Sequence, residues 1–582
     1  VLLNPANANR LQRPPAHVTT TALPAALRLK RTDRVRASRA WTGLLWPAIA
    51  LAAAGAVALP LVAVAVAAAR PLSPVWHHLA ETVLPAFVVN SLALAVGVGL
   101  LAGLVGVGTA WLVAMYRFPG RGVLEVALLL PLSMPAYILA YVYADALDVA
   151  GPVQGWIRAS FGLRYGDYWF PEVRTLPGAI LMLALALYPY VYLLCRAAFM
   201  EQSACQFESA RLFGTRPGAL FWRVGLPMAR PALAAGIGLA VMEALADFAT
   251  VEHFAVRTFT TGIYDAWFHH GDRFAASQLA VCLMGVVALA LGAERFLRGG
   301  RRYHHSSVRC HAPEETKLSG LSGWLAAAAC AAPVLFGFLA PAAILAAHAL
   351  TRGDPLFGRH FLPYAWNSLW LAGAAALLCV TVATAIAYGG RLVPSPAVRN
   401  AGRVAALGYA VPGSVIAVGV LVPLGAFDNA LDGWMRSHLG LATGLLLSGS
   451  FAALLYAYVV RFLAVALSTV EAGLSRIEPA LEDAGRLGGG GPRTVLARIS
   501  LPLMRRSLLA ASVLVFVDTM KELPATLIVR PFDLDTLAVR VHNLASDERL
   551  AEASTAALAI VLAGLLPIAW LTRMMQRDRG SH

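Results

Sequence analysis

The chain has 582 residues, 58% of them hydrophobic and only 14% charged, with a net charge of +15 and a mean hydropathy of +0.65. A soluble globular chain is nearer a quarter charged, so this composition excludes a soluble enzyme or nucleic-acid-binding domain as a description of the whole. Long apolar runs without the short alternating segments of a β-barrel predict an all-α, polytopic membrane protein.

In chain order, residues 1–40 are basic and rich in Pro, Ala and Arg, and read as a disordered cytoplasmic tail. About twelve spans follow. The first six lie near 41–69, 87–115, 123–147, 176–199, 229–252 and 277–297. The other six lie near 321–350, 365–390, 404–425, 441–467, 507–529 and 552–574. Pro131, Pro135 and Pro412 interrupt the third and ninth spans. Residues 298–320 form a basic linker and 575–582 a short tail, so the two halves are 41–297 and 321–574. With both termini in the cytoplasm, about 31 Lys and Arg fall on that side and about 12 on the other. This bias predicts the orientation. It also assigns the positive charge to membrane topology rather than to a nucleic-acid partner.

The halves repeat. Asn90-Ser91-Leu92 recurs as Asn367-Ser368-Leu369, and Pro135 recurs as Pro412. Six spans per half make the halves parallel, so a pseudo-two-fold along the membrane normal should relate them, with a pathway on or near that axis.

Two polar stretches stand out between spans, in loops 201–228 and 469–505. The first reads ESARLFGTRPGALFWRVGLP from Glu208 to Pro227, and the second EDAGRLGGGGPRTVLARISLP from Glu482 to Pro502. Each has an acidic start that suits a helix N-terminus, then Ala210 or Ala484, then Gly214 or Gly488, and a closing Leu-Pro. Pro217 and Pro492 suit the first turn of a following helix. One amphipathic interfacial helix would be ordinary. Two at equivalent positions point to docking of a partner twice. No GxxxxGK[ST] motif occurs, so the chain is not itself a P-loop ATPase. The second stretch has one extra residue near Gly488–Gly491, read as a flexible insertion.

This paired pattern resembles the EAA motif of ABC importer permeases. Segments 242–268 and 518–554 look like those of the fused permeases of ferric-iron importers. The resemblance implies two copies of an ABC ATPase docked on Glu208, Ala210, Gly214, Pro227, Glu482, Ala484, Gly488 and Pro502. It also implies a periplasmic binding protein on the other face and an inner-membrane location. No cofactor would be held by this chain, since ATP–Mg would sit on the ATPase partners. Thiamine, phosphonate or another small solute is the alternative cargo within the class. An ATP-independent secondary transporter is the alternative outside it.

Charges within spans are costly and mark candidate sites. Glu243 and Asp247 lie four apart in one span, and Asp518 and Glu522 in its counterpart, each pair expected on one helix face. Four carboxylates near one axis would suit a hard cation such as Fe³⁺. The competing expectation is a structural network neutralised by Lys521 or Arg461. The tyrosines Tyr137, Tyr141, Tyr143, Tyr188, Tyr190 and Tyr192 read mainly as packing groups, and no stable metal site or catalytic constellation is expected.

Overall fold

The computed structural model describes residues 25–71, 74–201, 217–298, 316–353, 361–393 and 395–579. Among them eleven helices are long and apolar enough to cross a membrane, or twelve when a bent pair, residues 121–133 with 136–161, is counted as one span. The first half comprises α1 (Ala25–Ala68), α2 (Pro74–Thr82), α3 (Leu84–Met115), α4 (Arg121–Ala127), α5 (Ala136–Leu147), α6 (Pro152–Phe161) and α7 (Leu176–Glu201). It continues through α8 (Leu226–Ala246), α9 (Ala249–His253), α10 (Phe259–Phe268) and α11 (Arg273–Arg298). The second half runs through α12 (Leu321–Val334), α13 (Ala340–Thr351), α14 (Phe361–Leu392), α15 (Pro396–Ala405), α16 (Gly413–Leu439) and α17 (Phe451–Ser475). It closes with α18 (Pro479–Leu487), α19 (Leu501–Met520), α20 (Pro524–Val529), α21 (Leu537–Ser546) and α22 (Leu550–Arg579). The first helix begins at Ala25, inside the segment expected to be a tail.

The repeated Asn-Ser-Leu triplets have a structural job. Asn90 donates to the Arg257 carbonyl at 2.9 Å and Asn367 to the Asp535 carbonyl at 3.1 Å. Ser91 and Ser368 accept from the first amides of α10 and α21, Phe259 N and Leu537 N. Each triplet thus satisfies backbone groups that a helix start leaves unpaired. The same clasp appears once per half.

Each half also lends its first helix to the other. α1 packs on α15, α16 and α14, where Trp46 meets Tyr388 edge-on and Tyr456 donates to the Ala56 carbonyl. Reciprocally, α12 packs on α3 and α4 and α13 packs on α5, and Tyr143 donates to the Phe336 carbonyl. The end of the linker is pinned as well. Residues Thr316–Lys317 pair in parallel with Tyr116–Arg117 at the end of α3.

The proline signals mark breaks. α5 starts after Pro135 and α16 after Pro412. In the first half the pieces on either side of the break meet at 90°. In the second half α16 starts only at Gly413 and runs to Leu439, so the ninth span lies later in the chain than 404–425. The Leu-Pro signals do something different. Segments Phe221–Gly225 and Leu496–Ser500 are π turns, and Pro227 and Pro502 follow them within continuing helices. Proline removes an amide and crowds the carbonyl four residues back, and the widened turn accommodates both.

Candidate functional site

The fifth and eleventh spans end earlier than expected. α8 stops at Ala246 and α19 at Met520, so Asp247 and Glu522 sit at breaks rather than on a helix face with Glu243 and Asp518. The cause is a second, short helix after each break, capped by the acid. Asp247 accepts from Thr250 N and Thr250 Oγ1, both at 2.9 Å. Glu522 accepts from Ala525 N at 3.0 Å, and Pro524 opens the short helix. An acid just ahead of a helix start satisfies free amides and faces the positive end of the dipole.

The breaks turn both acids toward one cavity between the halves. It is about 100 Å³, enough for several waters, and is lined by Glu243, Asp247, Asp518, Lys521, Glu522 and Arg461 together with Tyr137, Tyr190 and Tyr409. Leu132, Pro135, Leu183 and Leu187 complete the apolar part of the wall. The pseudo-symmetric positions therefore converge, although not through an i, i+4 helical face.

The charges are unequal across the axis. Arg461 Nε lies 3.1 Å from Glu522 Oε2, with both side chains more than nine-tenths buried. Lys521 Nζ lies 2.9 Å from Asp518 Oδ1. Glu243 and Asp247, from the first half, have no ion pair among the described residues. Glu243 instead accepts from Tyr409 Oη at 2.6 Å. Tyr137 Oη, Ser414 Oγ and one terminal nitrogen of Arg461 are buried with no hydrogen-bond partner among the described residues. Four carboxylates against two cations leave the cavity net acidic when all are ionised.

Tyr409 and Gly413 were not singled out by the sequence, yet they flank Pro412, which the repeat had marked. A Cβ at Gly413 would lie 2.6 Å from an Arg461 nitrogen and 2.7 Å from Glu522 Oε1, so glycine lets this backbone lie against the pair. The remaining tyrosines are structural. Tyr188 donates to the Leu128 carbonyl and Tyr192 to the Glu125 carbonyl. Tyr141 shares a 2.8 Å hydrogen bond with His542 Nδ1, whose Nε2 is 3.7 Å from Glu252.

Of the two polar stretches, Glu208, Ala210 and Gly214 lie outside the described residues. The second stretch is a helical hairpin. α18 ends at Gly488, Gly489 turns the chain with φ of +87°, and Pro492 starts the next helix. Gly488–Gly491 is thus an ordered turn. Glu482 is only 2% exposed and points inward, accepting from Ser500 Oγ at 3.0 Å and pairing with Arg391 at 3.2 Å. Arg391 also donates to the Leu474 and Ile477 carbonyls. Glu482 fixes α18 to the ends of α14 and α17. The outward face of the hairpin presents Leu481, Asp483, Ala484 and Leu487. Pro502 lies in the membrane-crossing helix beyond the hairpin, as Pro227 does in its own.

Comparison with known proteins fits this architecture. Residues 102–298 match the family described as binding-protein-dependent transport system inner membrane component. The chain is 26% identical over 483 residues to the Fe(3+)-transport system permease protein FbpB 2 of Haemophilus influenzae, covering 82% of this chain and 88% of that one. Shorter matches include the Escherichia coli sulfate transport system permease CysT, 28% identical over 29% of this chain and 55% of that one. The Escherichia coli molybdenum transport system permease ModB is 24% identical over 32% of this chain and 81% of that one. Residues 102–298 thus match the model of binding-protein-dependent transport system inner membrane components, and the chain as a whole is an all-α, polytopic membrane protein whose halves repeat, similar along most of its length to an iron-transport permease.

Proposed function

We propose that this chain is the membrane subunit of an ATP-driven importer that carries ferric iron inward from a binding protein. The observation that carries the cargo assignment is the cavity between the halves, with four carboxylates and two cations. Hard cations prefer oxygen ligands, and carboxylates and phenols are the oxygen donors present there. A dianion such as sulfate or molybdate would meet net repulsion at the same place. The iron permease relative, matched along most of both chains, supports the same choice.

Under this proposal two ATPase subunits dock on loops 201–228 and 469–505, with α18 as the described contact element in the second. The binding protein meets the opposite face. ATP and Mg²⁺ sit on the ATPase partners, and this chain holds no cofactor. Both termini lie in the cytoplasm of a cell with this chain in its inner membrane, as the charge bias favours. ATP-driven closure moves the docked hairpins, and the cavity changes access from one side to the other. Glu243 and Asp247 supply the carboxylates that no cation neutralises.

The test is uptake of radiolabelled iron, sulfate, thiamine and phosphonate into vesicles holding the complete complex. Iron alone should be concentrated in an ATP-dependent manner. Replacing Glu243→Gln, Asp247→Asn, Asp518→Asn and Glu522→Gln together should abolish that uptake. Because Asp247 and Glu522 also cap helices, Glu243→Gln alone is the second variant, expected to slow iron uptake in protein that assembles normally. Unchanged iron uptake in both would eliminate the carboxylate path.

A further inference from the structure

The two halves carry opposite charges at one equivalent place near the linker side of the membrane. In the first half, Glu125 on α4 and Arg196 on α7 form a buried ion pair, and Tyr192 Oη donates to the Glu125 carbonyl at 2.9 Å. Glu125 lies ten residues ahead of Pro135, and Arg196 twelve ahead of Glu208. In the second half, Arg403 lies nine residues ahead of Pro412, and Glu471 eleven ahead of Glu482. Arg403 and Glu471 therefore stand one residue beyond the positions matching Glu125 and Arg196, with base and acid on the opposite helices, and this pair does not close. Arg399, Arg403 and Glu471 form no ion pair with one another and line an open cleft of about 510 Å³ between α14, α15 and α17.

The cleft has the composition of a head-group site. Its walls include Ile386, Val398 and Leu467, and its charged groups are two guanidinium groups and one carboxylate, with the hydroxyls of Ser395 and Ser468 beside them. Glu471 stands four residues before the end of α17 at Ser475. At 1.5 Å per residue that is about 6 Å from the helix end. An anionic lipid would satisfy the arginines but meet Glu471. Free phosphate would leave the apolar walls bare. A quaternary ammonium has no N–H to give the carboxylate. A primary ammonium joined to a phosphodiester complements all three side chains.

We propose that this cleft binds an amine-bearing zwitterionic phospholipid, with its phosphate on Arg399 and Arg403, its ammonium on Glu471 and its acyl chains leaving along the apolar walls. The leaflet follows from the orientation adopted under the proposed function, and would be the cytoplasmic one. Binding itself does not depend on the cargo, so the two can fail separately.

The experiment is native mass spectrometry of the full chain, titrated with phosphatidylethanolamine, phosphatidylglycerol, phosphatidylcholine or inorganic phosphate. Wild type should retain phosphatidylethanolamine about tenfold better than the other two lipids, the size of one charge-assisted contact at a partly exposed site, and should not retain inorganic phosphate. Glu471→Gln should erase the preference over phosphatidylcholine while leaving phosphatidylglycerol retention undiminished. Arg399→Gln with Arg403→Gln should weaken all three lipids. All three side chains belong to exposed residues, so these variants should keep the wild-type elution profile. The exchange variant Arg403→Glu with Glu471→Arg puts the acid and the base on the same helices as in the first half and should lose the lipid while remaining folded. Equal retention of phosphatidylethanolamine and phosphatidylglycerol by wild type, or retention unaffected by the folded variants, would overturn the proposal.

Discussion

Removing one charge from the Arg461–Glu522 pair tests the central cavity most directly. Glu522→Gln keeps the side-chain shape and an oxygen for the Ala525 amide, now 3.0 Å away, and deletes only the charge. At the observed 3.1 Å the attraction is about 5 kcal/mol for an effective dielectric of about 20. Arg461, only 7% exposed, stays desolvated in the variant. Truncating one member of such a pair costs about 3–5 kcal/mol. Glu243 shares the cavity and offsets part of the stranded charge, so we predict the lower end, about 3 kcal/mol. Arg461→Met should cost a similar amount by stranding Glu522. The double variant Arg461→Met with Glu522→Gln removes both charges and retains the cap. It should lie within about 1–2 kcal/mol of wild type, giving a coupling energy of at least about 3 kcal/mol. Unfolding free energies of the four proteins in mixed micelles, titrated with a denaturing detergent, supply the cycle. Losses that simply add would show that the pair is screened by water and does not fasten α17 to the break after α19.

Other consequences are testable with the same preparations. Gly413→Ala should push the added methyl into the Arg461–Glu522 pair and cost about 1–3 kcal/mol, whereas Gly425→Ala, whose Cβ would meet nothing within 4 Å, should be nearly silent. Ser368→Ala removes a 2.8 Å bond to the first amide of α21 and should cost about 1 kcal/mol. Ser91→Ala, losing the looser 3.4 Å equivalent, should cost less in the same unfolding assay. Glu252, between spans, is pushed up to about 7 by burial and by Asp265 and Asp247, while His542 opposite it and nearby His253 are pushed down to about 4 by burial. A raised carboxyl makes the fold lose stability as pH rises from about 4.5 to 7, and the lowered imidazoles make it gain stability from about 4 to 6.5. Glu252→Gln should therefore show a steeper gain in stability between pH 4.5 and 7 than wild type. An unchanged slope would mean that Glu252 is solvated like a free carboxylate.

Much of this was legible in the sequence because membrane helices announce themselves by length, and because a repeat doubles every weak signal. One Asn-Ser-Leu is noise, whereas two at a constant offset marked an internal repeat. Its purpose was not legible, since capping partners 167 and 168 residues away leave no local pattern. The breaks after Ala246 and Met520 were missed because hydropathy runs through them. Pro524 two residues after Glu522 was the available helix-start signal. The inward position of Glu482 was not legible either. An acid in a polar stretch reads as surface, and nothing nearby in sequence reveals that Arg391, 91 residues earlier, draws it inward. The bend at Pro135 was visible as a proline but not as a 90° turn, because the first half breaks again at Gly151-Pro152 while α16 continues unbroken to Leu439.

Under the proposed function, symmetry of backbone with asymmetry of charge makes the cavity suit passage better than storage. Repetition places an acid at the end of α8 and α19 and another at the following break in both halves. Only the second half adds Arg461 and Lys521, and these occupy its own acids. The field inside the cavity therefore points toward Glu243 and Asp247. A cation entering it is drawn to the first half rather than held on the axis. Both of those carboxylates are already held, one by the Tyr409 hydroxyl and the other by Thr250. Neither is free to close around an ion as a multidentate ligand without giving up a bond that shapes the cavity. A tight site would demand that rearrangement. A weak one, with charge sufficient to attract and ligands too committed to retain, lets the ion leave when the halves move, as a conduit must.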